Sequence, residues 1–320
     1  MSIDLRHGDM LDQIKNVANG TVDLVVCSPP YGIGKSYENA KTVSEYVEWM
    51  DKVVAEIKRT LKKSGGVCWQ VGTHVSDEGE YLPLDMLFYP LFKKAGFILK
   101  NRVMWTFGSG LHSEKRLSGR YETLLWFVLG DKYTFNLDPI RVASKYPGKC
   151  AYKGPNKGNP SGNPLGKNPS DVWQIMMDEW EKSIWDFPNV KANHVEKNSA
   201  HPCQFPVELA ERCVLAFSNS SDTILDPFCG LGSSGIAAVF HDRKFVGIDS
   251  EARYIQLARE RIESALDGTL KTRKIGTAIA ETTASSSLKQ TPAAWKQAID
   301  KQKSKKRIYD QYRQDQDDGD

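Results

Sequence analysis

Paired cysteines, long apolar runs and an excess of one charge are all missing from this sequence of 320 residues. Its six cysteines are dispersed and never form the Cys-x-x-Cys pairs that zinc sites and redox motifs use. No stretch approaches the roughly 18 consecutive apolar residues of a membrane-spanning helix, and no signal peptide pattern is found. We therefore expect reduced thiols, no metal ion, no membrane partner and a cytoplasmic location.

The charges nearly balance, because 43 Lys and Arg residues stand against 40 Asp and Glu residues, for a net charge of +3. This balance excludes a histone-like polycation, so any affinity for nucleic acid must come from local patches. With 40% hydrophobic residues, the chain has enough apolar material for a globular core. Fibrous and wholly disordered classes are excluded.

The first part of the chain alternates between strand and helix patterns. Residues 22–27 form an apolar run that ends at two prolines, and residues 44–62 repeat apolar side chains at helical spacing after a Ser44 cap. Further predicted elements are a strand at 67–71, a helix at 84–95, and strands at 98–105 and 123–128. This alternation predicts an α/β fold with a mostly parallel sheet and helices on both faces.

A different composition begins near residue 140. Residues 145–170 are rich in Gly, Pro, Asn and Ser and carry five lysines but no Asp or Glu. Such a loop adds little to a core and is either functional or a solvated linker, and its basic and aromatic content favours a function. Periodic structure then resumes with a helix at 205–217, a strand at 223–226, a helix at 235–240, a strand at 244–248 and a helix at 254–266.

A glycine-rich loop follows the strand that ends at Asp226. Gly230, Gly232 and Gly235 fit the pattern G-x-G-x-x-G, and Asp249 follows the next strand. Glycines let the backbone approach a ligand and an acid suits ribose hydroxyls, so the pattern indicates a nucleoside-containing ligand. The carboxylate of Asp226 suits the ammonium group of S-adenosylmethionine better than the pyrophosphate of NAD. An ordinary tight turn is the alternative interpretation of this loop.

A second loop, Ser28-Pro29-Pro30-Tyr31, also follows a predicted buried strand. Its prolines stiffen the turn and leave carbonyl groups that, with Ser28, can accept hydrogen bonds. Tyr31 adds a flat face for stacking, so the loop is typical of a pocket for a planar group that donates N–H, such as a nucleobase amino group. Taken alone, the segment would be interpreted as a plain Pro-Pro turn.

Four segments together resemble the DNA amino-methyltransferases, which methylate the exocyclic nitrogen of adenine or cytosine. Ser28-Pro29-Pro30-Tyr31 resembles their catalytic loop, and the segment from Asp226 to Gly232 resembles their S-adenosylmethionine loop. The catalytic loop comes first, which is the permuted order of the β group. The segments at 7–11 and 201–206 resemble the opening Gly-Asp segment of that group and the segment before the cofactor loop, so the resemblance spans roughly residues 3–266.

The resemblance implies a Rossmann-like sheet dependent on S-adenosylmethionine, and it implies roles for individual residues. The target amino group would be held by Ser28 and the Pro29 carbonyl, within a catalytic set of Ser28, Pro29, Pro30 and Tyr31. Asp9 would contact the adenine of the cofactor and Asp249 its ribose, while Asp226 and Gln204 would hold the methionine end. The implied cofactor-binding residues are Asp9, Gln204, Asp226, Pro227, Phe228, Gly230, Gly232, Ser233 and Asp249.

The resemblance also divides the chain into segments and implies partners. Residues 1–139 would form the catalytic half, 140–200 an inserted target-recognition region and 201–266 the cofactor-binding half. Residues 267–320 lie outside the resemblance, and their composition indicates a polar tail, partly helical. Double-stranded DNA is the implied substrate, in a prokaryotic or phage-infected cell, and a cognate restriction endonuclease and a homodimer are the other implied partners. Candidate contacts with DNA phosphates are Arg116, Arg120, Lys145, Lys149, Lys153, Lys157 and Lys167.

Several alternatives stay open at this point. An NAD-dependent oxidoreductase shares the glycine pattern, and an inactive methylase relic retained for DNA binding shares the segments. Pro202-Cys203-Gln204 matches the thiolate loop of cytosine-C5 enzymes, but that loop follows the cofactor loop and has a Glu-Asn-Val partner that is absent here, so we interpret it as coincidence. Ser28 slightly favours cytosine N4 over adenine N6 as the methylated nitrogen, either in restriction-modification or as a solitary methylase.

Overall fold

The structure is a computed structural model that describes residues 2–31, 42–75, 79–106, 116–173, 196, 198 and 204–272. The predictions for Cys203 and for most of the tail, from residue 273 onward, therefore lie outside the described residues. Across these ranges, no helix combines the length and the apolar character needed to cross a bilayer. The five cysteines within them form no disulfide, and four of the five are buried.

Strands and helices alternate through the described chain. The strands are β1 (Ile3–His7), β2 (Val22–Cys27), β3 (Leu61–Val71), β4 (Thr73–Val75), β5 (Tyr81–Pro83), β6 (Ile98–Thr106), β7 (Tyr121–Val128), β8 (Val172–Trp173), β9 (Thr223–Asp226) and β10 (Lys244–Asp249). The helices are α1 (Met10–Gln13), α2 (Val43–Thr60), α3 (Leu84–Lys94), α4 (Val207–Phe217), α5 (Ser233–Phe240) and α6 (Ala252–Leu266).

Eight strands form one mostly parallel sheet, as the sequence predicts, in the order β1-β10-β9-β2-β3-β7-β6-β8. All neighbours from β1 to β3 are parallel, β7 runs antiparallel to β3 and β6, and β8 is parallel to β6. The central pair of β2 and β9, in which Leu24 lies beside Ile224, joins the first half of the chain to the second. The two predicted halves therefore share a single sheet.

Helices cover both faces of the sheet, because successive residues of a strand point to opposite sides. Leu24 and Val26 of β2 belong to a core with the apolar side chains of α4, α5 and α6. Val25 and Cys27 of the same strand belong to a second core with α2 and α3. This burial on both sides explains why β2 reads as a continuous apolar run.

Two boundaries of α2 differ from the prediction. The cap is Thr42 rather than Ser44, because its Oγ1 accepts a hydrogen bond from Glu45 N at 3.2 Å while the Glu45 carboxylate accepts one from Thr42 N at 2.8 Å. The helix ends at Thr60 rather than at residue 62, and β3 begins at Leu61 without an intervening loop. Leu61 pairs with Val22 and is buried, so tertiary packing extends the strand back to the helix.

The lysine-rich residues 143–166, which we call the basic segment, leave and rejoin the fold at Val142 and Lys167, a pair that we call the neck. Val142 and Lys167 exchange two backbone hydrogen bonds, of 3.1 and 2.9 Å, and Val142 is buried in the first core. Residues 143–165 are exposed or half-buried throughout, as expected of a loop that adds little core. Beyond the neck, β8 adds a short edge strand, and β4 and β5 form a small separate sheet; sequence periodicity predicted neither.

Candidate active site

One edge of the sheet gathers the polar residues singled out in the sequence. Asp9 follows β1, Ser28 follows β2, and Asp226 and Asp249 end β9 and β10. Because these four strands are parallel, their carboxyl ends meet at the same edge. There they surround a cavity of about 510 Å³, lined by Asp9, Met10, Ser28, Pro29, Pro30, Tyr31, Trp49, Gln204, Phe205, Asp226, Pro227, Phe228, Cys229, Gly230, Leu231, Ser233, Ser234, Asp249, Ser250, Glu251 and Tyr254.

The glycine-rich loop is fastened to the end of β10. Gly230 N donates a 2.8 Å hydrogen bond to Asp249 Oδ2, and Cys229 N donates one of 2.8 Å to the Ile248 carbonyl. Gly230 has a φ of 49° and lines the cavity. Gly232, with a φ of 75°, lies outside the lining and is the N-cap of α5, where an added Cβ would lie 3.0 Å from the Ala258 Cβ. The two glycines therefore have different tasks, one beside the cavity and one between helices.

Asp226 is a buried carboxylate that faces the cavity and is 4% exposed. Its Oδ1 accepts a hydrogen bond from Phe228 N at 3.1 Å, and its Oδ2 accepts one from the Ser234 hydroxyl. Burial raises the pKa of Asp226 to about 7, and the charge of Asp249 adds to the rise while the two hydrogen bonds oppose it. Within the described ranges no cation contributes to this pKa, so a cationic group in the cavity would supply the missing counter-charge.

The other predicted cofactor residues are partly engaged within the protein. Asp249 accepts backbone hydrogen bonds on both carboxylate oxygens. Burial raises the pKa of Asp249, and these two hydrogen bonds oppose the rise. Asp9 caps α1 by accepting from Leu11 N at 2.8 Å. The side-chain amide of Gln204 donates to the Glu196 carbonyl and accepts from Asn198 N, so its contacts fix a neighbouring segment as well as the cavity wall.

The Ser28–Tyr31 loop closes another side of the same cavity. Ser28 and Pro30 are half-buried, while Pro29 and Tyr31 are buried, Tyr31 being 7% exposed. The Tyr46 hydroxyl donates a 2.8 Å hydrogen bond to the Pro30 carbonyl, and the Tyr46 ring is fully buried in α2. Because prolines lack the N–H that normally anchors a loop, this carbonyl contact helps to restrain the turn.

Aromatic side chains that the sequence did not predict as site residues connect the Ser28–Tyr31 loop to the glycine-rich loop. Trp49 of α2 meets the Phe228 ring at 5.7 Å between centroids, and Tyr46 meets Trp49 at 6.2 Å. Trp49 lies one turn after Tyr46 at the margin of the buried face of α2, and this position is the signal that could have pointed to it. Tyr254, at the start of α6, lines the cavity next to Glu251.

None of the predicted DNA-contacting cations lines this cavity. Arg116, Lys145, Lys149, Lys153, Lys157 and Lys167 are exposed, and Arg120 is half-buried. Arg116 lies over the Tyr81 ring at 5.6 Å, and Arg120 donates to the Gly119 carbonyl at 2.9 Å.

In the part of the chain that the structure describes, no group of three or more His, Cys, Asp and Glu side chains could hold a metal ion.

Comparison with known proteins decides the family. The model of the N6/N4 methyltransferase family, described as DNA methylase, matches residues 22–260. The chain belongs to this family. The resemblance carried by the four segments is thereby confirmed, the protein is a DNA methyltransferase, and the oxidoreductase alternative is abandoned.

Individual relatives of this DNA methyltransferase are bacterial enzymes. The chain is 41% identical over 261 residues to the type II methyltransferase M.BglII of Bacillus subtilis, covering 82% of this chain and 69% of the relative. It is 33% identical over 264 residues to the DNA adenine methyltransferase YhdJ of Escherichia coli K12, covering 81% and 82%. The fold matches a DNA modification methylase of Thermus thermophilus complexed with S-adenosyl-L-methionine, with a TM-score of 0.57, 23% identity and coverage of 83% and 95%.

Proposed function

We propose that the methyltransferase uses S-adenosylmethionine to methylate the exocyclic amino nitrogen of a base flipped out of duplex DNA, with cytosine N4 as the target. The observation that carries this proposal is the single cavity that both the Ser28–Tyr31 loop and the Asp226–Gly230 loop line. A cavity of about 510 Å³ is large enough for a nucleoside-sized ligand. The intact Ser28, Asp226 and Asp249 around this cavity argue against the inactive-relic alternative.

The residues present fit S-adenosylmethionine, which supplies an electrophilic methyl group when bound. Asp226 offers a buried carboxylate for its ammonium group, beside the N-terminal end of α5. Asp249 retains acceptor capacity for ribose hydroxyls, since each of its oxygens accepts only one described hydrogen bond. Phe228 and Trp49 give the cavity an aromatic wall, which suits the faces of a nucleoside.

The amino nitrogen of a base is a weak nucleophile because its lone pair is delocalised into the ring. Hydrogen bonds from its two N–H groups to the Ser28 hydroxyl and the Pro29 carbonyl would favour a pyramidal nitrogen and disperse the positive charge that develops on it. Tyr31 would stack against the base, and the rigid turn would fix the direction of attack. The base lies inside the duplex until it is flipped out, at a cost of a few kcal/mol.

The remaining predictions concern DNA and partners. The basic side chains from Arg116 to Lys167 are proposed to contact phosphates, and residues 140–200 to select the recognition sequence. Because one relative is named a type II methyltransferase, we also propose that a cognate restriction endonuclease accompanies the enzyme. A homodimer and a cytoplasmic location, where bacterial DNA lies, belong to the same proposal.

Adenine N6 is the second candidate target, and a specific observation favours it. The relative YhdJ, 33% identical to this chain, is named a DNA adenine methyltransferase. Ser28 at the first catalytic position is the argument for cytosine. Either base presents an amino group with two N–H donors to the loop.

The deciding experiment identifies the product. The full-length protein is incubated with unmethylated plasmid DNA and S-adenosylmethionine carrying a labelled methyl group, and the DNA is digested to nucleosides for mass spectrometry. Labelled N4-methylcytosine supports the proposal. Labelled N6-methyladenine would show that the target is adenine N6 rather than cytosine N4. Incorporation at cytosine C5, or none into DNA under conditions in which the cofactor binds, would contradict the mechanism.

A further inference from the structure

The middle of the basic segment folds into a hairpin, which we call the 149–161 hairpin. Its limbs are joined because Ser161 N donates to the Lys149 carbonyl at 2.8 Å and Gly158 N donates to the Ala151 carbonyl at 2.9 Å. A Gly154-Pro155-Asn156-Lys157 turn closes it, with a 3.1 Å hydrogen bond from Lys157 N to the Gly154 carbonyl. Proline in the second position stiffens this type of turn, so the hairpin is preorganised.

The tip of the hairpin carries an unusual set of side chains. Tyr152 is 88% exposed, although an aromatic ring of this size is usually at least partly covered. Lys153 follows it in sequence, and Lys149 is on the same limb as Tyr152. Lys157 ends the closing turn and begins the second limb, where it forms an isolated bridge of parallel sense with Ala151. The segment from 145 to 170 contains no Asp or Glu, so no acid within it offsets these lysines.

A two-limbed hairpin with this charge fits one partner. The major groove of B-form DNA, about 12 Å wide, admits a two-stranded ribbon and is bordered by phosphates. Lysines on both limbs can meet the phosphates on each side while the tip reaches the base edges. A short hairpin with one exposed aromatic ring between cations has no comparable fit to an acidic protein surface, which offers no groove of this width.

We infer that the 149–161 hairpin enters the major groove of duplex DNA, with Lys149, Lys153 and Lys157 on phosphates and Tyr152 in apolar contact with the bases. This inference rests on the proposed function and deepens it, because it names the element and the side chain that meet the recognition sequence. Tyr152 is a substrate-contacting residue remote from the methylated nitrogen.

The test compares full-length variants on a 30-base-pair duplex that contains the methylated site mapped with the wild-type protein. The variants are Tyr152→Ala, Tyr152→Phe, the double variant Lys153→Gln with Lys157→Gln, and Tyr89→Ala as a control on α3, where Tyr89 is 43% exposed. The dissociation constant is measured by fluorescence anisotropy at several salt concentrations. Thermal unfolding and S-adenosylmethionine affinity show whether each variant is folded.

Tyr152→Ala is expected to weaken binding at least about fivefold without changing the salt dependence, and Tyr152→Phe to bind as the wild type does. The lysine double variant should reduce the slope of log K against log salt by about 0.9 for each lost phosphate contact. Folded Tyr152→Ala protein that binds and methylates like the wild type, or tighter binding of single-stranded RNA than of the duplex, overturns the inference. An inactive wild type instead overturns the proposed function.

Discussion

The carboxylate of Asp226 lies at the boundary between the apolar core and the cavity. Its pKa of about 7 means that, without a ligand, the group holds a proton for much of the time at neutral pH. An ammonium group beside it favours the ionised form, so binding a cation must release that proton. The affinity for such a ligand is therefore linked to pH.

We predict that the affinity for S-adenosylmethionine rises by about tenfold per pH unit up to a pH near 7 and levels off above it. The affinity rises with pH because Asp226 has its raised pKa in the free protein and must lose a proton before its carboxylate can pair with the cation. Isothermal titration calorimetry between pH 5.5 and 8.5 measures the slope. Asp226→Asn should bind weakly and with less dependence on pH, and an equal slope in that variant contradicts the assignment.

Ser28 provides a second prediction at the scale of one side chain. Ser28→Ala removes an acceptor for the target amino group, so the rate of methyl transfer should fall roughly 100-fold while cofactor affinity is retained. The matched control is Cys203→Ser, which should leave the rate unchanged because we assign no covalent step to that thiol. Single-turnover methyl transfer measures both rates. Loss of activity in the Cys203 variant with cofactor binding intact would assign the reaction to the thiol.

Tyr46 acts through the loop that it holds rather than through the substrate. Tyr46→Phe keeps the buried ring but removes the hydrogen bond to the Pro30 carbonyl, so kcat should fall roughly tenfold or more with little change in the KM for S-adenosylmethionine. The cost in unfolding free energy should be only about 1 kcal/mol. Tyr89→Phe, on the exposed side of α3, is the control. A Tyr46 variant with unchanged kcat would show that the loop needs no such restraint.

At the scale of elements, α5 is packed tightly between the sheet and α6. A Cβ added at Gly235 would lie 2.6 Å from Ile262 Cδ1 and 2.6 Å from the Phe245 ring. The third glycine of the loop pattern thus serves helix packing, while the first serves the cavity. This division agrees with the general role of the last glycine in such loops.

Gly235→Ala is accordingly expected to lower the free energy of unfolding by about 1–3 kcal/mol through overpacking. The control is Gly130→Ala, whose added Cβ would meet its nearest neighbour, the Lys63 carbonyl, at an ordinary 3.6 Å. Urea denaturation compares the two variants with the wild type. Equal stability of all three proteins would mean that α5 shifts without cost.

Elements with strong periodicity could be predicted from the sequence to within a few residues, and elements fixed by tertiary contacts could not. The apolar run of β2 and the spacing in α4 are local signals. The start of β3 at Leu61 depends on pairing with Val22, and β8 depends on pairing with β6. Residues that follow parallel strands could be expected at one edge of the sheet, because parallel strands bring their carboxyl ends together, and the structure places Asp9, Ser28, Asp226 and Asp249 around one cavity. The contact of Trp49 with Phe228 depends on how α2 packs, so the position of Trp49 in the helix was only a weak signal.

At the scale of the whole molecule, charge is distributed unevenly between the basic segment and the cavity. The cavity is lined by carboxylates, including Asp9, Asp226 and Asp249, while the exposed segment carries lysines without acids. The net charge of +3 therefore averages an acidic cavity and a basic segment.

Removal of the basic segment should separate these tasks. We predict that replacing residues 143–166 by Asn-Gly preserves the fold and cofactor affinity, because Val142 and Lys167 already pair as the two ends of a tight hairpin. Duplex affinity and its salt dependence should fall sharply, since four of the proposed phosphate-contacting lysines are lost. Calorimetry for the cofactor and anisotropy for DNA check the two halves of the prediction. Wild-type DNA affinity in the shortened protein would place the DNA surface elsewhere.

The neck at Val142 and Lys167 also affects how this protein can diverge over generations. Codons for residues 143–165 can be gained, lost or exchanged at little cost to either core, because those residues are largely in solvent. At the neck itself, a Cβ on Gly166 would lie 2.2 Å from the Val142 carbonyl oxygen, so inherited changes there are penalised. The sequence beyond the neck can therefore diverge among descendants while the sheet that carries the cavity stays the same.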